Sequence, residues 1–204
     1  DRMKSSPHKD RNHFRELRNI QDPAKIHEAI VRYQFQEIFQ PYWFGSICWQ
    51  PFIPDFTTAE GEAEHFNTKF FCALLDTKPK KIPDPPERPR IIWFHEKALV
   101  NINPRDTKNP RYKIAYHSHF HLEQCPDPYD SLIHLDWLIH NKVAKRFHRL
   151  STSNSKENKG IVLQRWIREH HANYNLKDYY RFRHQQDADL VLDYKNSDLK
   201  FTSD

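Results

Sequence analysis

Cysteine is scarce in this chain and scattered. Cys48, Cys72 and Cys125 form no CxxC pair and no even set, which excludes a disulfide framework and points to reduced thiols in an intracellular setting. Apolar residues are also in short supply, at 37%, so polar loops and exposed ends are expected to take up much of the length. No apolar run approaches the length of a membrane span, no signal peptide opens the sequence, and no internal repeat is visible. A strong excess of one charge is missing too. Lys and Arg number 32 against 27 Asp and Glu, a net +5, which permits an anionic partner without demanding one. What remains is a chain of 204 residues, long enough for one domain with a real core. Aromatics reach 14%, which serves either core packing or base stacking.

The most informative stretch is Tyr116-His117-Ser118-His119-Phe120-His121-Leu122-Glu123. Polar and apolar residues alternate, which is the strand period. Tyr116, Ser118, Phe120 and Leu122 then share one face, and His117, His119, His121 and Glu123 the other. Imidazoles and a carboxylate in a row make a poor core. They make good ligands for a divalent metal. With 14 histidines in the chain, a solvated polar sheet face is the alternative.

Around that strand the order of elements reads as α+β: a central antiparallel sheet carrying the histidine strand, flanked by helices. Residues 1–21 form a polar arm and 22–204 a single domain, with a polar tail from about 180. Asp22-Pro23 starts a helix ending near Gln40-Pro41. The aromatic run Tyr42 to Trp49 suits a buried strand. Thr57 and Glu60 have capping-box spacing, ahead of a helix from about Thr58 to Leu75 that buries Ala63, Phe66, Phe70 and Leu74. Thr77 to Arg90 is a Pro- and Lys-rich loop, whose Lys80, Lys81, Arg88 and Arg90 could touch phosphates. Ile91 to Val100 and Arg111 to Gln124 are strands joined by a short connection, hence antiparallel neighbours. That brings His95 or Glu96 beside the histidines, and parity cannot choose between them without the register. Helices are expected over about Asp130 to Leu150, with Leu132, Leu135, Leu138 and Phe147 inward, and from about Ile161 to Tyr174. Leu190 to Leu192 could form a short edge strand.

Tyr174 and Lys177 are three apart, so on a helix they would project together. A phenol has a pKa near 10 and needs a neighbouring cation or a polarised electrophile to act as a nucleophile. Histidine–hydrophobe–histidine on a strand, followed by YxxK, resembles the HUH endonuclease superfamily of rolling-circle initiators, relaxases and transposases. The HUH element here is His119-Phe120-His121, preferred over His117-Ser118-His119 because Phe120 is hydrophobic. The nucleophile motif is Tyr174 with Lys177, and Tyr179, Tyr180 and Tyr194-Lys195 are rivals.

The resemblance implies an HUH/RRM-like sheet and a metal-dependent enzyme that nicks and rejoins single-stranded DNA at a replication origin through a 5′-phosphotyrosine. His119 and His121 would bind Mn²⁺ or Mg²⁺ with a third ligand from Glu96 or His95, and His117 ranks after them, although ligand softness equally allows Zn²⁺. Trp49 is a candidate base-stacker. Host replication helicase or polymerase would be partners, in the cytoplasm or at the nucleoid. The alternatives are a non-catalytic single-strand-binding module, a metal-dependent hydrolase that uses water, or a relaxase or transposase of the same superfamily.

Overall fold

The computed structural model describes residues 39–49, 53–101, 108–146, 160–167, 171 and 192–199. The expected N-terminal arm and all but the end of the helix after Asp22 lie outside these. Six main elements follow in order: β1 (Trp43–Ile47), α1 (Phe56–Leu74), β2 (Ile91–Asn101), β3 (Tyr112–Leu122), α2 (Leu132–Leu138) and β4 (Ile161–Arg165). The sheet order is β2-β3-β1-β4, and every neighbouring pair is antiparallel. β1 and β2 therefore run the same way with β3 between them, which is the split βαβ connection. The fold is α+β with a central antiparallel sheet, and the histidine strand β3 is one of its two inner strands.

Alternation divides the sheet into two faces. Trp43, Gly45 and Ile47 of β1 pair with Leu122, Phe120 and Ser118 of β3, and Ile91, Trp93 and His95 of β2 reach the same three partners. On this face Phe66 and Phe70 of α1 and Leu135 and Leu138 of α2 join the strand residues in one core. Phe66 meets Trp93 edge-on and tilts against Phe120. Gly45 is required here, because a Cβ at that position would overlap the Phe120 ring. The aromatic surplus of the sequence is in large part this core.

Three local expectations are corrected. The cap of α1 is Asp55, whose carboxylate accepts from Thr58 N at 2.7 Å and from Thr58 Oγ1 at 2.8 Å, so the Thr57–Glu60 spacing does not mark the cap. Leu132 begins α2 on its outer side and is 41% exposed; Ser131 caps this helix, so the inward stripe starts at Leu135. The helix expected from Ile161 is strand β4. Its helical spacing competed with an equally good alternation, Ile161 and Leu163 inward against Val162 and Gln164 outward. The free edge of β1 decided the outcome, since its ladder continues into Cys48 N–H to Gly160 O and Trp166 N–H to Tyr42 O, at 2.8 and 3.0 Å. At the opposite edge Leu192 forms an isolated bridge with Phe94 of β2; Leu190 and Val191 of the edge strand expected there lie outside the described residues.

Candidate metal centre

Register settles the parity question. Glu96 stands opposite His117, while His95 stands opposite Ser118. Glu96 thus shares the face of His117 and His119, and His95 faces the helices. Glu96 Oε2 lies 3.1 Å from His117 Nε2 and 3.4 Å from His119 Nε2. One ligand atom from each of Glu96, His117 and His119 falls within 4.8 Å of the others. Ligands about 2.1 Å from a common ion lie roughly 3.0–3.4 Å from each other in tetrahedral or cis-octahedral positions, so the carboxylate distances suit an ion. The donor set, two imidazoles and a carboxylate, suits a first-row divalent metal and is harder to fill with Mg²⁺, which prefers oxygen. Glu96 is sealed at 0% exposure while His117 keeps 24%, so the group is approached from the His117 side.

His121 is not part of this group. Its position two residues beyond His119 carries it about 6.6 Å further along the strand, out of reach of Glu96, which is registered opposite His117. His121 Nδ1 instead accepts from Trp166 Nε1 at 2.8 Å. Burial holds its pKa well below the ordinary imidazole value of 6.5, and the neighbouring His119 and His171 push it the same way. The ligand atoms that converge are thus those of Glu96, His117 and His119, and His121 of the expected pair is not among them. Glu123, the last of the alternating row, accepts from Arg90 N at 2.9 Å and pairs with the Arg90 guanidinium at 3.7 Å.

His95 has a different role. Its Nε2 is 2.9 Å from Asp193 Oδ2 and its Nδ1 is 2.8 Å from Ser118 Oγ. Ser118 Oγ also accepts from the Trp49 indole at 2.7 Å. Because a carboxylate only accepts, Nε2 carries the proton in the neutral ring, and Nδ1 accepts from the Ser118 hydroxyl. The chain Trp49 → Ser118 → His95 → Asp193 is satisfied at every link. It has the residue types of a nucleophilic triad, yet Ser118, His95 and Asp193 are all 0% exposed, so no substrate reaches the hydroxyl. Trp49, expected as a base-stacker, is 1% exposed and packed in the core.

The other expected contacts divide clearly. Arg88 makes a two-pronged bond to Asp198 at 2.7 and 2.8 Å and lies over the Phe71 ring, so its charge serves the fold. Lys80 and Lys81 are exposed on the turn Pro79–Lys81. The rival Tyr194 has its hydroxyl pKa raised by burial, the opposite of what activates a phenol, and Lys195 is bound to Glu64 of α1 at 2.6 Å. Tyr174 and Lys177, like Tyr179 and Tyr180, lie outside the described residues. Asp193 and Ser46, both bonded to a histidine of this region, were missed from the sequence, where an isolated Ser or Asp carries no signal. No family model matches this sequence, and no curated protein and no solved structure is significantly similar to it.

Proposed function

We propose that this chain is a metal-dependent enzyme that nicks and rejoins single-stranded DNA, with Tyr174 as nucleophile. The observation that carries the reading is the convergence of Glu96, His117 and His119 on one face of the split βαβ sheet. The resemblance implied His119 and His121 with a third ligand from Glu96 or His95; the converging set shares His119 and Glu96 with it and brings in His117, where Ser118 departs from the histidine–hydrophobe–histidine pattern. A bound ion would act there as a Lewis acid on the scissile phosphate. The Tyr174 oxygen would attack phosphorus, losing its proton, to form a 5′-phosphotyrosine ester and release a free 3′-hydroxyl. Lys177 would offset phosphate charge. The covalent ester conserves the phosphodiester bond, so the same step in reverse rejoins the strand. Its two imidazoles favour a first-row transition ion such as Mn²⁺ or Zn²⁺ over Mg²⁺.

The test is incubation of the full chain with Mn²⁺ and labelled single-stranded DNA from the replicon that encodes it, followed by mapping of any labelled peptide. A covalent adduct on Tyr174, lost in Tyr174→Phe and in the presence of EDTA, is expected. Free 5′-phosphate ends without adduct would make it a hydrolase that uses water. Metal-independent binding without cleavage would make it a binding module.

A further inference from the structure

Strand β1 places one polar side chain on the ligand face, Ser46, directly opposite His119 in the ladder. Its Oγ lies 2.9 Å from His119 Nδ1. The His119 ring is also held in plane by Phe44, stacked at 5.2 Å and 20°, and its strand is flanked on the other side by Phe94, its cross-strand partner on β2. With Nδ1 tied to β1 and Phe44 against the ring, the remaining nitrogen, Nε2, points at Glu96 Oε2, 3.4 Å away.

We propose that Ser46 is a positioning residue for the metal centre, orienting the His119 ring and accepting from Nδ1–H when the Nε2 lone pair is offered to an ion. This rests on the metal reading of Glu96, His117 and His119. The physical reason is that an imidazole binds a metal through one nitrogen only when the other carries the proton, and an acceptor on that second nitrogen fixes both tautomer and orientation. A hydroxyl suits the position because it accepts this hydrogen bond without adding a charge beside the ion. Glu96 already supplies the one carboxylate of the group. Ser46 is the contribution of a third strand, so the group spans three adjacent strands, β2, β3 and β1.

The test is Mn²⁺ titration of the full chain by calorimetry, with wild type, Ser46→Ala, Ser46→Thr and His119→Ala compared, and unfolding midpoints measured in EDTA. Ser46→Ala is expected to weaken Mn²⁺ binding by about 10–100-fold, with its EDTA midpoint close to wild type, and Ser46→Thr to restore most of the affinity. The visible spectrum of the Co²⁺-loaded protein should also change in Ser46→Ala, which a merely structural role would not produce. Ser46→Ala binding Mn²⁺ as tightly as wild type, while His119→Ala does not bind, would overturn the role of Ser46 and leave the metal centre standing. Wild type and His119→Ala binding alike would overturn the centre itself, and Ser46 with it.

Discussion

On the helix side of strands β2 and β3, Ser118, His95 and Asp193 stand in line; on the other side, one residue over, stand Glu96, His117 and His119. Both groups combine histidine with a carboxylate, and each is joined by a serine hydroxyl. The first is closed. Every donor in it meets an acceptor, its members are wholly buried, and its carboxylate comes from a distant segment that also pairs with the edge of β2. In the second, ligand atoms from three side chains converge, and one of those side chains remains partly exposed. Residue types alone do not separate a structural clasp from a metal centre. Access differs between the two: His117 is partly exposed, whereas Ser118, His95 and Asp193 are sealed.

Breaking the closed group should have the largest effect. Asp193→Ala leaves the His95 N–H buried without its acceptor and also removes the bonds from Asn196 N and Nδ2. A loss of about 1–3 kcal/mol for the orphaned His95 N–H, and more for the two Asn196 bonds, is expected, read as a shift in the urea midpoint. Mn²⁺ binding by the fraction that remains folded should persist. Glu96→Gln reverses the pattern: saturating Mn²⁺ should stabilise wild type by about 2.7 kcal/mol at a hundred times the dissociation constant, and the variant by almost nothing. Equal stabilisation of both would erase the distinction between the two faces.

Smaller effects sharpen the contrast. Gly45→Ala should destabilise by about 1–3 kcal/mol through overpacking against Phe120, with Mn²⁺ affinity little changed, because the clash is on the helix face. His121 gives a pH signature. Its folded pKa is depressed, chiefly by burial, so above about pH 6.5 the ring is neutral in both states and contributes no pH dependence. As the pH falls below that value, the unfolded chain takes up a proton that the folded chain does not, and stability drops until the folded pKa is reached. The slope approaches 1.4 kcal/mol per pH unit. Urea melts in EDTA between pH 7.5 and 5.5 should show this fall, reduced in His121→Asn. Thiol labelling resolves the two faces most gently. Exposed Cys48 should react in the native protein, whereas Cys125, buried in the core with its pKa pushed up to about 12, should wait for unfolding.

Much of the architecture could be read from pattern. The strands at Trp43, Ile91 and Tyr112 and the first helix all stand where alternation or helical spacing put them. The failures share a cause. Ile161 to Arg165 satisfies two periods at once, and only the open edge of β1 selected the strand. Local pattern favours His119-Phe120-His121, and it could not show that the register of β2 carries Glu96 to His117. Arg88 looks like a free cation in sequence and is spent on Asp198, 110 residues away.

The chain's own order of residues determined that three imidazoles would share one face of a strand, because side chains alternate wherever the backbone is extended. It also determined that an acidic and a histidine residue would sit side by side on a neighbouring strand. Which of those two met the imidazoles was decided only by tertiary structure. A shift of one residue in the pairing of β2 with β3 would exchange Glu96 for His95 beside the imidazoles and part His95 from Ser118. That register is held by contacts far away in sequence: Ser197 and Asp198 bonded to Trp93 N and Ile91 N, and Asp193 to His95.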